Sequence, residues 1–235
     1  MLDITIDKFE QLSHYNLCLA ERPDIPGAER EIIYHANIDQ YDGALTEYGA
    51  WKNRQIDLLI NILEEGLKPK LREFRGMLLM KQSFTLSFSD DPNFYYIVKG
   101  FDLSNIKNEH LLKGEFNIPV VLDPFEYYKF PSTATGTNSI EIRNHGTYFA
   151  LPIIKLTGTG QIILNINGQI MTIKDLNGQA VIDCEKLEFY DELTPNKRSF
   201  KIFTQEFPVM KTGVNKITAS GAVTKLSVEF KERYL

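Results

Sequence analysis

The sequence is poor in the residues that build metal centres and disulfide frameworks. Its 235 residues include two cysteines, four histidines and one tryptophan. Cys18 and Cys184 lie far apart and form no Cys-x-x-Cys motif, so we expect two free, buried thiols. The histidines are scattered without a second ligand at metal-binding spacing, which excludes zinc chemistry.

Long apolar runs are also missing. No stretch approaches the roughly 20 apolar residues that cross a bilayer. The N-terminal MLDITIDKFE has neither the basic start nor the apolar run of a signal peptide. Hydrophobic residues make up 43% of the chain and charged residues 24%, as is ordinary for a soluble globular protein. We expect a soluble protein that is made in a cytoplasm and has no membrane partner.

Basic residues are scarce in the first half of the chain. Residues 1–131 contain 14 lysines and arginines against 21 aspartates and glutamates, a net charge of −7. Residues 132–235 contain 12 against 10, a net charge of +2. Because nucleic-acid binding requires basic groups that neutralise phosphates, this balance argues against specific nucleic-acid binding by the first half.

One long helix is predicted, over residues 51–65, because apolar residues there recur at helical spacing. The residues on that face are Ile56, Leu59, Ile60 and Leu63. Gly66 is a natural C-terminal cap, and Pro69 prevents continuation of the helix.

Almost all of the remaining sequence is typical of β-strands. Alternating apolar residues before Asn167-Gly168 predict a hairpin with a type I′ turn, which places Met171 and Ile173 on the same face as Ile162, Leu164 and Ile166. A second turn is predicted at Asn177-Gly178. The last strand alternates too, with Leu226, Val228 and Phe230 facing inward. Short strands between turn residues indicate a mainly β protein with a β-sandwich.

A domain boundary is predicted after residue 131. The run PSTATGTNS at 131–139 is small, polar and without periodicity, and it lies where the charge balance changes. We therefore expect a first β domain with one long α-helix at 1–131, and an all-β sandwich domain at 132–235.

The stretch FSDDPNFYY, residues 88–96, is the one candidate for a metal site, since paired carboxylates can hold a catalytic ion. However, no second carboxylate motif and no glycine-rich phosphate loop accompany it. Asp90 and Asp91 are interpreted instead as turn residues between two strands. Cys184 alternates within a predicted strand and is interpreted as a core thiol. No enzymatic activity, cofactor or metal is expected, and no catalytic, cofactor-binding or metal-binding residue is proposed.

Two sets of motifs carry a resemblance to a known family. SDDPNFYYIVKG followed by KGEFNIPVVLDPFEYY, with Asp123, Pro124 and Phe125, resembles the first domain of distal tail proteins of long-tailed, non-contractile (siphovirus-type) bacteriophages. The second half resembles the galectin-like sandwich of the same family. The residues that carry this second resemblance are Asn144, Gly146, Thr147, Pro152, Gly158, Gly160, Asp183, Pro208, Gly213, Asn215 and Gly221.

The resemblance implies a structural role at the virion tail tip. Such proteins form a homo-hexameric ring, single or stacked in two, through their first domains, and DNA passes through the channel without specific binding. The implied partners are the major tail tube protein, a tail-associated fibre or lysin protein, and receptor-binding or baseplate proteins. Synthesis would take place in the cytoplasm of the bacterial host.

A carbohydrate-binding, lectin-like protein is the alternative, because galectin-like sandwiches are often lectins. Sugar sites usually combine an aromatic platform with clustered polar groups. The single Trp51 lies in the other domain, and Tyr148, Tyr190 and Tyr234 show no such cluster on one strand. A hydrolase is a more distant alternative, since no acid–base pair supports it.

Overall fold

The computed structural model describes residues 2–35, 45–62, 68–103, 115–191, 201–203 and 206–235. The chain divides into two compact units, one of residues 1–126 with Leu235 and one of residues 127–234. Strands predominate in both, which confirms the predicted mainly β fold class. The predicted boundary after residue 131 lies close to this division, and independent folding of the two segments stays a prediction.

The first unit is built on one large, mostly antiparallel sheet. The strands of the whole unit are β1 (Ile4–Ile6), β2 (Glu10–Gln11), β3 (Leu17–Leu19), β4 (Arg30–His35), β5 (Leu45–Trp51), β6 (Arg54–Ile62), β7 (Phe84–Phe88), β8 (Asp91–Phe101) and β9 (Glu115–Tyr128). A short 3-10 helix, η1 (Leu12–Tyr15), and an α-helix, α1 (Lys68–Leu79), complete its described elements.

The large sheet curls so that its two ends approach each other. Its order is β2-β1-β7-β8-β9-β6-β3. At the far ends the Leu19 amide donates to the Leu2 carbonyl at 3.2 Å, so β3 returns to the start of the chain. Apolar residues from the sheet, η1 and α1 fill the interior. The fully buried ones include Ile4, Leu12, Leu17, Ile60, Phe74, Leu86, Val98, Ile118 and Leu122. β4 and β5 form a separate two-stranded sheet.

The predicted helix over residues 51–65 is wrong. Trp51 ends β5, residues 54–62 form β6, and residues 63–65 lie outside the described part of the chain. Along β6 the side chains of Ile56, Leu58 and Ile60 are buried while those of Gln55 and Asp57 are exposed. This is the two-residue period of a strand, and pairing with β9 over eight residue pairs fixes it.

The α-helix lies further along the chain, at Lys68–Leu79. Pro69, interpreted above as the residue that prevents a helix, occupies its first turn, where a missing amide hydrogen costs nothing. Phe74 and Leu78 are four residues apart and face the core. The Phe74 ring packs against Tyr15 with 5.4 Å between ring centres, which ties the helix to η1.

The second unit consists of strands only, within its described residues. They are β10 (Ser132–Gly136), β11 (Ser139–Asn144), β12 (Ile153–Ile166), β13 (Gln169–Asp183), β14 (Glu188–Tyr190), β15 (Lys201–Phe203), β16 (Gly213–Phe230) and β17 (Arg233–Tyr234). The main order is β10-β16-β12-β13-β14, with β11 on β16 and β15 on β13. The three central strands are long, at 14, 15 and 18 residues, and curl around a separate core in the manner of a β-sandwich.

The β12–β13 hairpin confirms the prediction made from Asn167-Gly168. Asn167 has φ 51° and Gly168 has φ 93°, the left-handed values that a type I′ turn requires at both central positions. The five side chains predicted to share a face are all buried; they are Ile162, Leu164, Ile166, Met171 and Ile173.

Two other predictions for the second half are wrong. β13 continues through Asn177-Gly178, where Gly178 at φ 110° distorts the strand without ending it. The segment 131–139, predicted as a linker, contains β10, which pairs with Leu226–Phe230 of β16. β10 lies at the edge of the sheet, where small and β-branched residues need no periodic burial.

Candidate interaction surfaces

The two carboxylates of the Asp90-Asp91 pair lie at the tip of the β7–β8 hairpin. Asp90 is in the turn, as predicted, and Asp91 is the first residue of β8, paired with Phe88. The Asp90 carboxylate pairs with Arg22, and the Ser89 hydroxyl accepts a hydrogen bond from the Asp3 amide at 2.9 Å. These contacts connect the hairpin tip to neighbouring loops, as expected of turn residues.

No chemical centre is evident in the described ranges. They contain no group of three or more histidine, cysteine, aspartate or glutamate side chains arranged to hold a metal ion. None of the described helices is both long and apolar enough to cross a membrane. That the protein lacks catalytic and metal-binding residues stays a prediction.

Both cysteines are buried and free, as expected. Burial, reinforced by the neighbouring Asp183 carboxylate, raises the pKa of the Cys184 thiol to about 12. Burial raises the pKa of Cys18 as well. Because the thiolate is the nucleophilic form, neither side chain is suited to covalent catalysis at neutral pH.

The Asp-Pro-Phe motif in β9 serves the structure of the first unit. The buried Asp123 carboxylate accepts a hydrogen bond from the Phe125 amide at 3.2 Å and pairs with Lys99 at 2.5 Å. The buried Arg54 side chain donates to the Pro124 carbonyl. These bonds fix the end of β9 against β6 and β8, so the motif marks a fold rather than a binding site.

The β4–β5 hairpin is the most exposed element of the first unit. All six residues of β4 are solvent-exposed, so neither of its faces is covered by the described residues of the chain. Its large side chains include Ile32, Tyr34 and Tyr48, which are 45%, 68% and 59% exposed. Ile32 lies opposite Tyr48 in the register. Neighbouring large apolar side chains with this exposure are typical of interaction surfaces.

The hairpin is ordered by contacts of its own. The Arg30 guanidinium lies 5.4 Å from the ring centres of both Tyr48 and Trp51, and its Nε donates to the Gly49 carbonyl at 3.1 Å. At the other end, His35 and Glu47 are 2.7 Å apart. These contacts hold the strands together but bury little apolar area, and a hairpin alone is marginally stable in water.

A second exposed apolar surface lies at the end of α1. Phe9, Leu79 and Met80 are 79%, 66% and 88% exposed, and we call them the helix-end patch. An ion pair between Asp7 and Lys81 brings the turn that carries Phe9 to this end of the helix. Although burial alone raises the pKa of Asp7, its bonds to Lys81 and Thr85 hold that pKa below the usual value.

The helix that leads to this patch is basic. Lys68, Lys70 and Arg72 are exposed on α1, Arg75 is half-buried, and Lys81 follows the helix. Lys70 pairs with Glu73 at 3.1 Å on the same helix. The exposed basic side chains therefore occupy the first turns of α1, roughly 10 to 17 Å along the helix axis from Leu79, whereas the apolar helix-end patch lies at the other end of the helix.

Sequence patterns did not indicate either surface. The hairpin sequence EREIIYH has consecutive apolar residues that in most strands would be half-buried. The one available signal was the acidic content around them, Glu29, Glu31 and Glu47, since such residues resist burial. For the helix-end patch, the signal was the apolar pair Leu79-Met80 placed next to lysine at a helix end.

Comparison with known proteins gives matches in structure alone. No protein-family model and no curated protein matches the sequence. Among solved structures, the chain matches the SPP1 Dit protein (gp 19.1) with a TM-score of 0.71 and 14% identity over 100% of both chains. That protein is described as a paradigm of the hub adsorption apparatus in phages that infect Gram-positive bacteria. A chain of the phage p2 baseplate in its activated conformation with Sr matches with a TM-score of 0.50 and 8% identity, over 99% of this chain and 98% of that one.

The chain has the fold of a siphovirus distal tail protein. The match to the SPP1 protein spans both units of the chain. The fold expected from the resemblance is therefore confirmed. At 14% identity the similarity concerns the fold alone.

Proposed function

We propose that the protein is a structural hub at the tail tip of a siphovirus-type phage. In this role the first unit forms a homo-hexameric ring, and DNA passes through the channel of the ring. The ring joins the tail tube to the tail fibre or lysin protein and to receptor-binding or baseplate components. The whole-chain similarity to the SPP1 hub protein, across both units, is the observation that carries the proposal. The hub acts mechanically and needs no catalytic residue.

The β4–β5 hairpin supplies the contact between ring subunits. Its exposed apolar side chains need a cover that the hairpin's own chain does not provide over the described residues. A second copy of the chain can provide it, since a contact between two different surfaces of the same protein generates a ring when the rotation between neighbouring copies closes. Burial of Ile32, Tyr34 and Tyr48 on a neighbour removes the largest exposed apolar side chains of the hairpin from water.

The helix-end patch of the next subunit is the counterpart that we assign to the hairpin. Both surfaces are apolar, and acidic residues of the hairpin can face the basic first turns of α1. The hairpin strands and the residue before them carry Glu29, Glu31 and Glu47, whereas α1 carries Lys68 and Arg72. Complementary charge fixes orientation and register at such contacts.

Light scattering on the purified full chain tests the ring. The expected mass is six times the 27.0 kDa chain, or twelve times for stacked rings. Ile32→Ser combined with Tyr48→Ser should shift the mass toward the monomer, because the pair opposite each other on the hairpin loses its apolar contact. The matched control is Ile170→Ser combined with Val214→Ser, which changes two exposed apolar residues of the second unit and should leave the mass unchanged.

The outcomes separate the two parts of the proposal. A stable wild-type monomer at high micromolar concentration would contradict the ring. A hexamer that both pairs of substitutions leave intact would keep the ring and exclude the hairpin as its contact.

A further inference from the structure

A polar groove crosses the outer face of the second unit. It has a volume of about 330 Å³ and runs over β16, β12 and β13. Four apolar residues, Ile153, Leu156, Ala180 and Val181, contribute to its lining, and two of them, Leu156 and Ala180, belong to the core on the other face of the sheet. Its polar lining consists of Lys155, Thr157, Gln179, Lys225, Ser227 and Glu229.

The strand register explains why these side chains converge. Thr157 is opposite Gln179 on one side and Lys225 on the other. In the adjoining row Lys155 is opposite Ser227. Residues directly opposite each other on adjacent strands point to the same face, with Cβ atoms about 5 Å apart. Three strands that are distant in sequence therefore present one cluster.

A ligand in the groove would contact side chains rather than the backbone. β12 lies between β16 and β13 in the sheet, and its backbone is paired on both sides along the groove. An extended peptide that adds to a sheet requires an unpaired strand edge, which the middle of this face does not offer. The occupant must instead satisfy ammonium, amide, hydroxyl and carboxylate groups from above.

The lining chemistry selects a polyhydroxylated ligand. Lys155 and Lys225 oppose a cation, and Glu229 opposes a simple anion. Hydroxyl groups of a ligand both donate and accept, so they can use the Glu229 carboxylate, the lysine ammoniums and the Gln179 amide at the same time. The side chain of Ile153 offers apolar surface to the C–H face of a sugar ring. We propose that this groove binds a saccharide, of the size of one or two rings, since 330 Å³ is at the lower end of ligand pockets.

Binding by one copy should be weak. Among the described residues the lining contains no aromatic ring, so these residues supply no stacking contribution of the kind common in sugar sites. Several copies on one particle would compensate by multivalency, and this step rests on the proposed hexamer. The inference therefore goes beyond the hub role by giving the second unit a contact with surface glycans.

A glycan array probed with the full-length particle tests the proposal. The array should carry neutral bacterial cell-wall oligosaccharides and their phosphate- or carboxylate-bearing counterparts. Gln179→Ala combined with Lys225→Met should lower the signal at least tenfold. The matched control, Gln161→Ala combined with Lys216→Met, changes the same residue types at exposed positions of β12 and β16 outside the groove and should retain it.

Three results would overturn the saccharide site. The first is the absence of array binding by the wild type, and the second is an equal loss of array signal in the control variant. The third is binding that is restricted to phosphate- or carboxylate-bearing glycans and is abolished by 0.5 M salt, because a non-specific basic surface behaves in this way. Light scattering on the same samples keeps this test separate from the ring, because a hexamer without glycan binding contradicts the groove alone. A monomer that binds glycans contradicts the ring alone.

Discussion

The guanidinium of Arg22 lies 3.6 Å from the centre of the Phe88 ring and pairs with the carboxylate of Asp90. One side chain thus contacts the last residue of β7 and the turn that follows it. The pair explains why an acidic residue occupies this hairpin tip: it anchors the loop after β3 to the β7–β8 turn. Phe88 also packs edge-on against Tyr96, with 6.2 Å between ring centres, so the anchor reaches the core.

The first prediction concerns this turn. Asp90→Asn combined with Asp91→Asn should leave assembly intact and lower the free energy of unfolding by about 1 kcal/mol or less, because the Arg22–Asp90 pair is partly exposed and screened by water. Urea unfolding measures the loss, and Asp24→Asn is a control at another exposed aspartate. Stoichiometric binding of magnesium or manganese that the double substitution abolishes would show that the site holds a metal.

The second prediction concerns the glycines of the second unit. Gly221 has φ 116°, and a Cβ there would lie 2.4 Å from the Gln161 carbonyl oxygen, closer than atoms can approach. Gly221→Ala should therefore cost about 3 kcal/mol or more of unfolding free energy. Gly168→Ala, at φ 93° in open space, should cost about 1 kcal/mol from backbone strain alone. Equal losses for the two variants in urea unfolding would contradict this close packing.

Local signals predicted part of the fold, and long-range pairing decided the rest. The Asn167-Gly168 hairpin was predictable because its turn and its alternation lie within one short window. β6 was not, because Ile56 and Ile60 satisfy a helical period and a strand period equally, and pairing with β9 selects the strand. Gly158 and Gly221, noted only as part of a resemblance, lie where β12 and β16 approach too closely for a side chain.

The candidate surfaces were harder to predict for the same reason. The groove assembles Lys155, Gln179 and Lys225 from three strands, so no window of sequence contains it. The pattern of a single strand therefore does not indicate the groove. The exposure of the β4–β5 hairpin is likewise a property of what the rest of the chain leaves uncovered, which its own sequence does not encode.

The third prediction concerns pH. The pKa of Cys184 is raised by burial from 9.0 to about 12. Above pH 9 the unfolded chain loses this proton while the native protein keeps it, so the free energy of unfolding should fall as the pH rises from about 9 to about 12. The maximal slope from this one group is about 1.4 kcal/mol per pH unit.

Cys184→Ala should reduce that slope, because the titrating group is gone. Urea unfolding of both proteins between pH 8 and 11 measures the difference. A residual slope is expected in both proteins because two tyrosines also titrate in this range. Burial, together with the hydrogen bond and charge of Glu10, raises the pKa of Tyr15 to about 12, and burial with a hydrogen bond to Glu126 raises the pKa of Tyr96. Identical slopes for the two proteins would show that the thiol does not contribute.

The last prediction concerns the basic residues of α1 and the channel. A channel that releases DNA should not retain it, and the −7 net charge of residues 1–131 fits a bore without basic patches. Acidic groups that face outward and only aid solubility are the ordinary alternative. Because a bore without basic patches excludes the exposed Lys68 and Arg72, these two residues should lie at a contact with a neighbouring subunit or an adjoining tail protein.

Lys68→Gln combined with Arg72→Gln should therefore weaken assembly and make it less sensitive to salt, since it removes charge from the proposed subunit contact. Binding of double-stranded DNA should be negligible at physiological salt, for the wild type and for this variant alike. Lys211→Gln combined with Lys216→Gln removes the same charge from exposed positions of the second unit and should leave assembly unchanged. Tight, salt-sensitive DNA binding by the wild-type particle that only the α1 variant loses would place these side chains in the bore and refute the assignment.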